Sequence, residues 1–252
     1  STNSRPTKSH SEVNVPSNSL PMSSTVLIGK IPKPPIISTV VPSRGLSLAE
    51  VVHYGFPRVK MDRDLSRWKM RNLPNLLRGA WRIFTAKKIG IPHFYGQLCL
   101  LTIAPDGHRK DYGLVSLRLV TTTGAGWVVD AFQGLQSLSS MRFHGVGGSS
   151  AVELASNTTL GSEFGSAYNP INTRPSGTQA EGDSSIIYRT VGLIEVTDTV
   201  TIGEHGLFSQ ASTTTGSPVG GVLLDRSAVA SETIFTGFII QADYRLVIAT
   251  GT

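Results

Sequence analysis

From residue 91 to residue 252, apolar side chains come in short alternating runs separated by glycine, proline and aspartate, the period-2 signature of half-buried strands. Residues 97–103 run into the turn Pro105-Asp106-Gly107 and the chain returns through 112–120, which predicts a hairpin. Further strands are predicted over 142–146, 186–196, 200–208, 222–230 and 235–249. In the last of these, Ile239, Gln241, Asp243 and Arg245 alternate with Ile240, Ala242, Tyr244 and Leu246, so one face is apolar and the other carries charge. Residues 127–132 follow Gly124 and Gly126 without alternation and read as a short helix or a buried turn. Many short strands with little helix predict a mainly β fold: an antiparallel, jelly-roll-like β-sandwich with an extended N-terminal arm and a short basic helical segment.

Ahead of this domain, residues 46–90 change period. Leu73, Leu76, Leu77, Ala80, Trp81 and Phe84 recur at helical spacing. Asn72 is placed to cap the helix, Pro74 falls in its first turn, and Gly90 supplies the stop. A shorter helix around 62–70 presents Leu65 and Trp68. The apolar faces are expected to bury and the basic faces to stay outside. Residues 1–45 read as an arm in which Pro6, Pro16, Pro21, Pro32, Pro34, Pro35 and Pro42 exclude a helix. Two apolar strips interrupt it, one at Val26, Leu27 and Ile28, the other containing Ile36, Ile37, Val40 and Val41. A solvated disordered tail is one reading. The preferred one is an extended adhesive segment, because such strips suit strand addition to a neighbour's sheet edge. Fully stretched, the arm reaches roughly 150 Å.

Charge changes the picture most. Residues 1–90 hold 15 Lys and Arg against 4 Asp and Glu, a net of +11, whereas 91–252 hold 8 against 13, a net of −5. Ten of the basic residues fall within 46–90, among them Arg63, Arg67, Lys69, Arg71, Arg78 and Arg82. A basic front on an acidic body predicts a partner with an acidic surface, or nucleic acid, on one side only. The competing reading is a solvated basic face beside the body; a membrane partner is not expected, because the helix is short and nothing else points to lipid. Charged residues make up only 16% of the chain, and glycine, serine and threonine abound, which argues against a helical bundle. No stretch approaches 18 apolar residues, and the first 30 lack the apolar centre of a signal peptide, so cytosolic synthesis is expected. Cys99 stands alone, which excludes an intrachain disulfide and a multi-cysteine zinc site.

Candidate chemistry is sparse. Glu204 and His205 are adjacent in a predicted strand, face opposite sides and lack a second histidine, so a shared metal ion is not expected. His205 is read as a local hydrogen-bonding residue near the sandwich edge, and His144 as a turn histidine before the glycines at 145, 147 and 148. That glycine run has no Lys-Ser/Thr ending and is no P-loop. Asp225 and Arg226 are read as a structural ion pair or turn, and Cys99 as a small core residue. No nucleophile, base and orienting group assemble, so neither catalytic residues nor a cofactor is expected.

In order, residues 112–122, 129–133, 143–147, 187–191, 204–209 and 223–227 resemble a group of tailed-bacteriophage virion proteins, over about residues 94–252. The resemblance implies a β-sandwich module of a phage particle, and not an enzyme. The expectation is a capsid cement or decoration protein whose arm and basic segment bind the major capsid protein, as a homo-oligomer for which a trimer would suit a local threefold axis. A neck, tail or fibre-base adaptor docked on a connector protein is the second expectation. A nucleic-acid-binding protein using the basic segment is the third.

Overall fold

The computed structural model describes residues 63–90, 93–165, 174–181, 186–212 and 219–249, all within the unit Thr39–Thr252. Among these, the elements in chain order are α1 (Arg63–Lys88), β1 (His93–Ile103), β2 (Arg109–Leu119), α2 (Thr122–Phe132), β3 (Phe143–Gly147), β4 (Thr178–Glu181), β5 (Ile187–Glu195), β6 (Val200–Phe208), β7 (Leu223–Ile234) and β8 (Ile239–Ala249). The fold is mainly β. One antiparallel sheet has the order β2-β1-β8-β5-β4 and a second has the order β3-β6-β7. The pairs β1–β8, β3–β6 and β4–β5 nest inside one another, as in a chain folded back along its length.

The strand patterns explain the layers. Ile240, Ala242, Tyr244 and Leu246 of β8 point into the core with Leu98 and Leu100 of β1 and Ile194 of β5, and meet Ile202, Leu207, Leu224 and Val229 from the smaller sheet. The opposite face of the large sheet is also buried. It carries Tyr95, Cys99, Leu114, Leu117 and Val247 beside Gln97, Gln241, Asp243 and Arg245. Strand β2 serves both faces because its register to β1 skips Val115 and Tyr112. These bulges turn Tyr112 and Val115 into the inner core while Leu114 and Leu117 face the other way.

Helix α1 corrects the expectation of two helices. It is one helix of 26 residues, and Asn72 lies inside it instead of capping it. Pro74 removes the N–H that would bond the Met70 carbonyl, yet the helix continues because both flanks are pinned to the sandwich. The Asn72 amide donates to the Val115 carbonyl of β2 at 2.7 Å, and its carbonyl oxygen accepts from the Ala230 N–H of β7 at 2.9 Å. The Trp68 indole N–H donates to the Ala230 carbonyl at 2.9 Å, and its ring meets Tyr112 edge-on. α1 thus spans from the edge strand of one sheet to the edge strand of the other. Gly90 ends it as expected, with φ 76°.

Other differences are local. The run 235–249 is interrupted by a turn at Gly237, φ 82°, so β8 begins at Ile239. β4 escaped notice because Thr178–Glu181 has no apolar alternation. The 127–132 segment is helical, as α2, and its N-terminus is capped by the Thr121 hydroxyl accepting from Gly124 N–H.

Candidate functional site

Helix α1 has three faces. Leu65, Trp68, Asn72, Leu76, Gly79 and Ile83 lie against the body. Met70, Leu77, Trp81 and Phe84 fall on a second line along the helix and are exposed: Trp81 by 70%, Met70 by 61% and Phe84 by 56%. That line runs about 21 Å. Beside it lies a row of arginines, with Arg63, Arg67 and Arg71 exposed and Arg78 and Arg82 half-buried. The Trp81 and Phe84 rings stand 6.1 Å apart. Exposed apolar surface of this extent, bordered by cations, is unusual for a surface without a partner.

The sequence pattern placed Leu77, Trp81 and Phe84 on the buried face, and the structure turns them outward. Gly79 is the reason. A Cβ there would collide with the Leu117 carbonyl and lie 2.6 Å from the Arg118 guanidinium. Only glycine admits this close approach, and bringing it to β2 brings Leu76 and Ile83 inward instead. The two apolar stripes of the helix were both present in the sequence; which one faced the body was not.

The predicted partner-binding residues divide accordingly. Arg63, Arg67, Arg71, Arg78 and Arg82 lie on α1 outside its core-facing line. Lys69 instead faces the body and is 2% exposed, and burial lowers its pKa against the pull of Asp111. Val26, Leu27, Ile28, Ile36, Ile37, Val40 and Val41 lie outside the described residues.

The second notable feature is the polar interior. His144 and His205 are 0% and 2% exposed, and His144 Nδ1 and His205 Nε2 share a hydrogen bond of 3.0 Å. His144 Nε2 reaches the Thr190 hydroxyl of β5 at 3.3 Å, in space left by Gly177 and Gly192. Burial holds His144 down to about 3. Burial, and secondarily the neighbouring His144, lowers His205 well below the ordinary imidazole value. Both rings are therefore neutral and tie β3 to β6 and β5. This places His144 in a strand instead of a turn, and His205 on the central strand of its sheet instead of near an edge. Glu204 faces the other way, accepting from the Ser162 and Gly161 N–H groups and pairing with Arg226 at 2.7 Å.

Next to His205, the Tyr244 hydroxyl and the Asp225 carboxyl meet over Gly96, where a Cβ would strike both. Burial pushes Asp225 up to about 7, against the opposing pull of Arg118. Arg118 is itself engaged by Glu153 at 2.8 Å and by the carbonyls of Asn75 and Leu117. Arg174 binds Glu163 through two bonds of 2.6 and 2.8 Å and lies over the Phe208 ring. Arg189 grips Asp243 at 2.9 and 2.7 Å, with Arg245 at 3.4 Å. Buried charges persist only when matched in this way.

Among the described residues, no group of three or more His, Cys, Asp or Glu is placed to hold a metal ion. Burial raises the Cys99 thiol to about 12, so it remains protonated. An apolar cavity of about 110 Å³ opens between Trp127, Phe132, Leu138, Met141, Tyr188 and Ile248. No helix of the described residues is long and apolar enough to cross a membrane. No protein-family model, no curated protein and no solved structure matches the chain.

Proposed function

We propose that this protein is a non-catalytic structural component of a larger assembly, a β-sandwich body that presents the outer face of α1 as its docking surface. The observation that carries the reading is the exposed line of Met70, Leu77, Trp81 and Phe84 beside the arginine row, on a helix whose other face is fixed to both sheets. A rigidly held helix face loses little conformational freedom on binding, which favours a surface used as built. Apolar residues supply contact area, and the arginines select a partner of negative charge and fix its register. The buried His, Asp and Arg groups serve the body, because their partners are one another.

In its specific form the assembly is a virus particle, and the chain a capsid cement protein that bridges subunits of the major coat protein. The sequence resemblance to tailed-phage virion proteins supports this form. The test is copy number per particle, measured by quantitative mass spectrometry against the coat protein. Hundreds of copies in a simple ratio to coat subunits are expected. A dozen would move the protein to the neck or tail, and none would refute the virion role.

One observation favours a second reading. Exposed Trp81 and Phe84 beside arginines also resemble a stacking platform for single-stranded nucleic acid. A steep salt dependence of oligonucleotide binding, abolished by Trp81→Ala, would support that reading over a protein partner.

A further inference from the structure

A second surface at the end of the sandwich complements the outer face of α1. Three turns are tied together there. The Gly237 N–H donates to the Val196 carbonyl at 2.8 Å, and the Val196 N–H to the Phe238 carbonyl at 2.9 Å. Pro105 of the β1–β2 turn packs beside Gly237. These turns present the exposed carboxylates of Asp106, Glu195 and Asp198 around Phe235, which is 57% exposed. Between them a groove of about 330 Å³ is walled by Phe235, Phe238, Ile234 and Tyr112, with Asp106, His108 and the Lys110–Glu232 ion pair also lining it. The exposed carboxylates of Asp106, Glu195 and Asp198 beside Phe235 are the chemical counterpart of the arginine row beside the apolar line of α1.

Charge supports the match. α1 carries eight basic residues against the single Asp64. In the body, the five buried arginines at 118, 174, 189, 226 and 245 lie with Glu153, Glu163, Glu204 and Asp243, and Asp225 sits near Arg118. The net −5 of residues 91–252 therefore belongs to the remaining charged groups, and not to the interior.

We infer that the occupant of the α1 outer face is the acidic, aromatic end of a second copy of this chain, in a head-to-tail contact. Met70 of one copy meets Phe235 of the next, and Arg67 and Arg71 beside it face Glu195 and Asp198. Because the two surfaces differ, the contact is heterologous and continues into rings or filaments instead of stopping at a dimer. The inference deepens the docking reading, which it needs for the role of α1, by naming the partner.

The test is sedimentation velocity of the full chain over a range of concentration and salt. The wild type is expected to associate, less so at high salt. Two variants each disable one surface: Arg67→Glu with Arg71→Glu, and Glu195→Lys with Asp198→Lys. Each should self-associate at least about tenfold more weakly, since like charges face each other. Mixed, they present the native pair of surfaces and a charge-swapped pair that is complementary as well, so co-assembly should be restored. All four substitutions are at exposed positions, and circular dichroism checks that the fold is retained. A wild type that stays monomeric, variants that associate like the wild type, or a mixture that does not co-assemble would each overturn the inference. So would a monomer that binds anionic lipid vesicles through Arg67 and Arg71. If the chain stays monomeric yet the Arg67/Arg71 variant fails to incorporate into particles, the docking reading stands and self-assembly alone fails.

Discussion

Asp225→Asn should make the protein markedly more sensitive to acid. Asp225 is 2% exposed on β7, beside Tyr244, and its folded value is about 7 against an ordinary value of 3.8. A carboxyl raised in this way contributes stability that is complete below its unfolded value and is lost as pH rises through its folded value. Within the window the folded state holds one more proton than the unfolded chain, worth about 1.4 kcal/mol per pH unit. As pH falls from 7 to 5, the wild type should therefore gain about 2 kcal/mol relative to Asp225→Asn, the slope reaching its full value only below pH 7. The two histidines act in the opposite sense. Lowered folded values mean that the unfolded chain takes up their protons first, and stability falls as pH drops below the ordinary imidazole value. Both proteins carry that loss, so it cancels in the difference. In the wild type Asp225 offsets part of it, and the variant lacks that contribution. Urea unfolding of both proteins at pH 5, 6, 7 and 8, with m-values checked for constancy, measures the difference. Parallel stability–pH curves would refute the assignment of a neutral buried Asp225.

Gly79→Ala should destabilise by about 1–3 kcal/mol, despite the better helix propensity of alanine, because its methyl meets the Leu117 carbonyl. Thermal unfolding reads this, and an unchanged or raised midpoint would contradict the close approach of α1. Asp243→Ala should cost about 3–5 kcal/mol by removing the bidentate partner of buried Arg189, read by chemical denaturation. Cys99, buried with its thiol raised to about 12, should resist alkylation in the folded protein and react at once in denaturant; rapid labelling of the native form would contradict its place in the core.

Strand existence was legible because alternation survives in short runs: the predicted 200–208 coincides with β6, and the polar and apolar sets of β8 separate onto the two faces anticipated. What alternation could not reveal is that the polar set of β8 is buried too; Asp243, for one, owes its burial to Arg189, 54 residues away along the chain. The same non-locality hid the role of Asn72. As a sequence signal it resembles a helix cap, and only the meeting of β2 and β7 gives its amide two backbone partners. His144 sits in a glycine-rich run that imitates a turn, yet the glycines make room for imidazoles between sheets. For α1, periodicity supplied the helix but left two apolar stripes to choose between, and a single close contact at Gly79 decided the choice.

The central claim is that the outer face of α1 is a binding surface. Hydroxyl-radical footprinting of the free monomer and of the assembled particle tests it most directly. Trp81, Met70 and Phe84 should be strongly oxidised in the monomer and protected in the assembly, while buried Trp68 and Trp127 stay unreactive in both. Equal oxidation of Trp81 in the two states would contradict the account.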